Sequence, residues 1–343
     1  MGWSTFRNRH VAQIENDGMR VTVTAEGGHV AEIFHKPSGI NPLWIPPWPS
    51  IEPSTYSLEK HPEYGNDAES KLLSGLMGHN LCLDLFGGPS PEEAAAGMTV
   101  HGEASIARYK ISFTDHELNA SCDLPAAQLR FERRMRLEGQ FVMFAETVEN
   151  VSILDRPIAW TEHVTLGPPF LEKGVTQFRA PGTKGHTLST KQDFDWPVAA
   201  RKDGAKDDMR VYTNAPESGT FDSVLMDPHR DRAFFFAFHP KNKLLLGYVW
   251  NRSDFPWLGL WTENYERKLP PWSGRTLTRG MEFGASPVAE SRRQMIERHT
   301  LFGVPAYRWI PAKTKLHVEY CAFITAADSI PNSLEELQVH IPA

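Results

Sequence analysis

The residue pattern is that of a large antiparallel β-sandwich, on three grounds. Stretch after stretch alternates apolar and polar residues at period two, the pattern of a strand with one buried face. Breakers and aromatics are both dense, with 26 Pro, 25 Gly, 19 Phe and 10 Trp. That composition favours short strands over long helices. The breaker-bounded runs amount to about a dozen strands or more with two or three minor helices, which calls for stacked sheets.

In chain order, Met19-Arg20-Val21-Thr22-Val23-Thr24 alternates, Gly27-Gly28 turns, and residues 29–34 return as the second strand of a hairpin. Residues 39–57 hold five prolines with Trp44 and Trp48, which excludes helix and central strand alike. Residues 61–75 are polar and turn-rich; His61, Glu63, Asp67 and Glu69 there match no metal-ligand spacing. Ser90, Pro91, Glu92, Glu93 and Gly97 form a short helix with its cap and stop. Residues 104–151 sustain alternation through four strands. Their charges Glu132, Arg133, Arg134 and Arg136 read mostly as a solvated face, with room for one arginine to turn inward.

Residues 158–166 form another strand. Ile158, Trp160, Glu162 and Val164 share one face, and Ala159, Thr161, His163 and Thr165 share the other. Residues 171–220 read as irregular excursions with short strands, and residues 233–238 and 244–250 resume the β pattern. Residues 255–284 cluster Trp257, Trp261 and Trp272 with Glu263, Arg267, Arg279 and Glu282, a mix suited to a polar ligand held between rings and charges. Arg279 and Glu282 fall on opposite alternation phases unless Gly280 bulges. A weak amphipathic helix is expected over residues 288–300, a last strong strand over 315–325, and a polar tail from Asp328.

Composition bounds the function. The net charge is −6 and 41% of residues are hydrophobic, so neither nucleic acid nor an anionic membrane is an expected partner. No run is long and apolar enough to span a membrane, and the expected location is the cytoplasm. Cys82, Cys122 and Cys321 are scattered in apolar contexts and read as buried thiols. No phosphate-binding loop, dinucleotide fingerprint or nucleophile elbow is present. His101, followed by Gly102-Glu103 in a tight turn, is suited to proton transfer near neutral pH, or is a solvated histidine in a capped loop; His163, by itself, reads as a satisfied sheet histidine.

Four stretches resemble the aldose 1-epimerases of the galactose mutarotase-like superfamily. ENVSILDRPIAWTEHVTLGPPF is similar to the region in which an Asn-ended strand and a Pro turn lead to a catalytic histidine, and His163 falls on that position. Val100-His101-Gly102 resembles the family's upstream Leu-His-Gly, Gly27-Gly28 with Asn41-Pro42-Leu43-Trp44 its opening, and TLTRGMEFG the strand that delivers its glutamate. The chain departs from the family at Thr165-Leu166-Gly167-Pro168-Pro169, and the family's N-terminal arginine and sugar-binding aspartate have no counterpart.

The resemblance spans roughly residues 11–325 and implies a single mutarotase-like supersandwich domain over 1–343. It implies an isomerase that interconverts sugar anomers by acid–base chemistry without metal or cofactor. His163 would be the acid and Glu282 the base, with Glu263 competing for that role. His101 would bond a hydroxyl or the ring oxygen, Trp44, Trp257 and Trp261 would stack on the sugar, and Arg279 would orient a hydroxyl or carboxylate. The implied partner is a small sugar or sugar derivative, bound by a monomer or homodimer. Two other readings of the same residues stand beside it: carbohydrate binding without catalysis, and a different isomerase or lyase acting on a modified or acidic sugar.

Overall fold

A computed structural model describes residues 2–337 and residue 341. Its strands form two large antiparallel sheets. The larger has twelve strands, with spatial order Gly2–Phe6, Arg9–Glu15, Met19–Thr24, Val30–His35, His79–Asp84, Arg156–Leu166, Leu277–Gly284, Trp257–Asn264, Ser218–Met226, Gly182–Thr187 and Gln192–Asp195; Arg308–Ile310 adds to the start of the His163 strand. The second sheet has eight strands, and half of it is the meander Lys110–Phe113, Glu117–Leu124, Leu129–Glu138 and Phe141–Asn150 read from the alternation.

The sheets bury one shared core, in which Trp160, Val164, Met281 and Phe283 of the larger meet Phe131, Phe144, Tyr248 and Tyr320 of the smaller. Each fully buried side chain of this kind stabilises the fold by about 1.5–3 kcal/mol.

Helices are few and short. Ser90 caps Pro91–Ala95 through a reciprocal bond pattern with Glu93, and Ser291 does the same with Gln294 for Arg292–Arg298. That second cap starts the helix three residues or more later than the apolar spacing suggests. The tail from Asp328 is not simply polar. On Arg232–His239, Phe235 faces the core while Phe234, Phe236 and Phe238 face outward, and Ile330, Leu334, Leu337 and Ile341 pack over them. A strand apolar on both faces needs a second cover, and the tail supplies it.

Arg133 is the inward-turning arginine. It is buried in the core, where Nε donates to Glu146 Oε1 (2.6 Å) and Nη2 to Glu162 Oε2 (2.7 Å). His79 Nε2 lies 2.8 Å from Glu162 Oε2, and Tyr320 donates to Glu146 Oε1 at 2.7 Å. Burial raises the Glu146 carboxyl to about 8, against the pull of Arg133. A carboxyl raised in the fold holds its proton where the unfolded chain has lost it, so its contribution to stability declines as pH rises from about 4.5 to 8. His101 and His29 act in the opposite sense. Burial lowers them to about 4 and about 3, so stability is lost as pH falls below 6.5. Glu146→Gln is therefore expected to flatten the decline between pH 4.5 and 8 and leave the acid limb unchanged, as read from urea midpoints across pH.

Candidate functional site

The site is written in the strand register. Across the outer face of the larger sheet, Asn80, His163, Glu282, Gly259 and Ser223 stand side by side on five adjacent strands. His163 and Glu282 are direct cross-strand partners, because both strands alternate without a break here. His163 Nε2 lies 3.1 Å from Glu282 Oε1. The contact is within ion-pair distance but outside hydrogen-bond alignment, and Oε1 has no hydrogen-bond partner among the described residues. Both groups are buried. Burial, the sole cause, pushes the Glu282 carboxyl well above its usual range. Burial, reinforced by His101, pushes the His163 imidazole well below its own. His163 Nδ1 contacts Thr165 Oγ1 at 3.1 Å.

Glycines make room for the carboxylate. A Cβ on Gly280 would run into Glu282 Oε1, and one on Gly284 would run into Thr161 Oγ1. Gly280 forms no bulge, so Arg279 takes the opposite phase, into the protein.

His101 reaches the site from a loop. Its ring meets the His163 ring edge to face at 4.9 Å. The residue has φ +64°, its N–H donates to Gly87 O, and its carbonyl accepts from Leu83 N. Gly102 is required after it, since a Cβ there would collide with the Leu83 carbonyl. His101 Nδ1 lies 2.7 Å from Phe86 O and 3.0 Å from Cys82 Sγ. A carbonyl only accepts, so Nδ1 carries the proton and Nε2 of the neutral ring is an acceptor. That acceptor suits a sugar hydroxyl and not a ring oxygen. Glu103 takes no part in this, because its carboxylate accepts from Ala127 N at 2.7 Å.

Trp261 borders the dyad, 5.9 Å from the His163 ring and half-buried. The other assigned side chains sit elsewhere. Trp44 is buried, stacked on Trp272 and edge-on to Trp48, and offers no free face. Trp257 is fully buried with its indole N–H on Pro305 O. Arg279 points into the core, where it donates to Thr262 Oγ1 and lies over Phe178, so it cannot orient a ligand at Glu282. Glu263 accepts from the backbone N–H groups of Glu266 and Arg267, which commits its carboxylate to a turn. That leaves Glu282 as the free carboxylate of the two.

Sequence reading missed Asn80 and Phe221. Asn80 is buried beside His163 with Oδ1 unpartnered, and Phe221 rests over Gly259. Only the strand order brings them to the row; no local pattern marks them. Arg267 stands at the rim, stacked 4.6 Å over Trp272 and 5.6 Å from Trp261. A separate groove of about 520 Å³ lies on the outer face of the smaller sheet, between Lys110, Glu132, Arg134, Thr147 and His317. No helix among the described residues is long and apolar enough to cross a membrane.

No family model and no curated protein sequence matches this chain. Solved structures do. A galactose mutarotase-like protein from Clostridium acetobutylicum superposes with a TM-score of 0.64 at 12% identity, over 95% of this chain and 98% of the other. A galactose mutarotase related enzyme from Lactobacillus acidophilus gives 0.59 at 10% identity, over 94% and 99%. A galactose mutarotase-like protein from Lactobacillus casei gives 0.57 at 13% identity, over 92% and 100%. At such identities the likeness is one of fold, and the fold of this chain is the β-sandwich of the galactose mutarotase-like proteins.

Proposed function

We propose that this protein interconverts the anomers of a reducing sugar, as an aldose 1-epimerase does. The observation that carries the reading is the direct pairing of His163 with Glu282, two buried proton-transfer groups 3.1 Å apart. The hemiacetal hydroxyl and the ring oxygen are bonded to the same carbon. A base for one and an acid for the other must therefore stand close together.

In this reading the dyad acts in its ion-pair form, reached when the proton on Glu282 crosses the 3.1 Å gap to His163 Nε2: Glu282 then takes the proton of the C1 hydroxyl and His163 gives one to the ring oxygen. The C1–ring oxygen bond breaks, the aldehyde forms, C1 rotates, and closure on the other face returns both protons. Each positioned group contributes about 10²–10⁴-fold. Burial disfavours the charged form of each group, raising the Glu282 carboxyl and lowering the His163 imidazole. His101 accepts from a neighbouring hydroxyl, and Trp261 gives an aromatic wall to the sugar's C–H face.

The test is anomer exchange by NMR with neutral, acidic and phosphorylated reducing sugars. Accelerated exchange in one class supports the reading and names the class. Binding of a sugar without acceleration would instead support the carbohydrate-binding reading. Arg267 at the rim supports including the anionic members, and a preference for them is expected to fall on Arg267→Gln.

A further inference from the structure

The dyad is sealed. The His163 and Glu282 side chains are 6% and 1% exposed, so no sugar reaches the carboxylate unless something moves. A chain of ring contacts walls it in, running Phe221–Phe86 (5.8 Å), Phe86–His101 (6.4 Å), His101–His163 (4.9 Å) and His163–Trp261 (5.9 Å). It closes because Trp261 and Phe221 are register partners on adjacent strands.

Four of the five rings are held. Phe86 is buried. His101 is fixed through Nδ1, N–H and carbonyl. His163 is in the sheet against Glu282, and Trp261 is braced by Trp272 and Arg267. Phe221 is half-buried and rests on a glycine. A Cβ at Gly259 would stand 3.0 Å from Phe221 Cζ and 3.4 Å from Glu282 Cβ. The ring tip thus fills the space beside the carboxylate that a side chain at 259 would otherwise take.

We propose that Phe221 is the movable wall and the specificity residue of this site: it swings off Gly259 to admit the anomeric end of a sugar, and its ring tip beside Glu282 limits the size of the group that C1 can carry. Ring rotation at a half-buried surface position needs no backbone change. Free reducing sugars are then ligands, and their methyl glycosides are excluded. The choice of ligand rests on the mutarotase reading; the movement of Phe221 does not.

The experiment compares wild type, Phe221→Ala and Phe221→Tyr, with Phe221→Val as a second small variant should the alanine chain fail to fold. One arm follows carbethoxylation of His163 by diethyl pyrocarbonate with peptide mapping. The other tests a methyl glycoside as an inhibitor of exchange of its parent sugar. A minor open state is populated at about 0.1–10%, so truncation is expected to speed His163 modification at least about tenfold, with Phe221→Tyr at the wild-type rate. The methyl glycoside should inhibit the truncated variant and not wild type. Equal modification rates in all variants would overturn the movable wall. Equal inhibition of wild type and the truncated variant would overturn the specificity role. Faster modification in a protein that exchanges no reducing sugar would uphold the moving wall and count against the mutarotase reading itself.

Discussion

Glu282→Gln loses about 10²–10⁴-fold in anomer exchange, the contribution of one positioned base, and at neutral pH it folds at least as stably as wild type. The two halves of this expected result have one cause. Glu282 is buried beside an imidazole that burial holds neutral, and no cation among the described residues balances its charge. Its carboxyl is raised in the fold, so ionising it costs stability as pH rises, and that cost vanishes in the uncharged amide. A carboxylate kept for packing behaves in the opposite way, losing stability when neutralised. Exchange rates by NMR and urea midpoints on one preparation separate the two. A less stable but fully active Glu282→Gln would remove this residue from the mechanism.

Arg133→Ala is the largest expected stability loss, about 3–5 kcal/mol for breaking a buried ion pair. The guanidinium is shared by Glu146 and Glu162 and also donates to Gly28 O, so its removal leaves two acidic side chains in the core without their cation. Tyr320 and Trp160 still donate to them, but neither brings charge. Glu162 precedes His163 on the same strand and faces the other way, so the network also sets the level at which His163 emerges. Chemical denaturation tests the prediction directly. A loss below about 1 kcal/mol would mean that the network is satisfied without its arginine.

The sequence made strands legible wherever one face was buried and the other wet. The meander from Lys110 to Asn150 and the faces of the His163 strand follow from alternation alone. Opposite phases of Arg279 and Glu282 were visible too, and they sent the arginine into the core. What alternation cannot supply is lateral order. Asn80, Phe221 and Gly259 join His163 and Glu282 only because their strands lie side by side, and nothing local says so. Tryptophans were misleading for a related reason. Trp44 and Trp257 look like stacking surfaces in a Pro-rich and aromatic context, but Trp44 fills a satellite cluster on the outer sheet face and Trp257 is buried with its indole N–H on Pro305 O. The phenylalanine run at 234–238 likewise read as one strand, while its outer face shows why the tail must fold back.

In the proposed function His163 and Glu282 act together on one hemiacetal, and two-dimensional exchange NMR of a reducing sugar with the wild-type protein reads that joint action out. Cross-peaks between the α and β anomers are expected to build up faster in proportion to protein, and to fall to the uncatalysed rate with His163→Ala and with Glu282→Gln alike. Exchange that the protein accelerates and that neither substitution slows would contradict it.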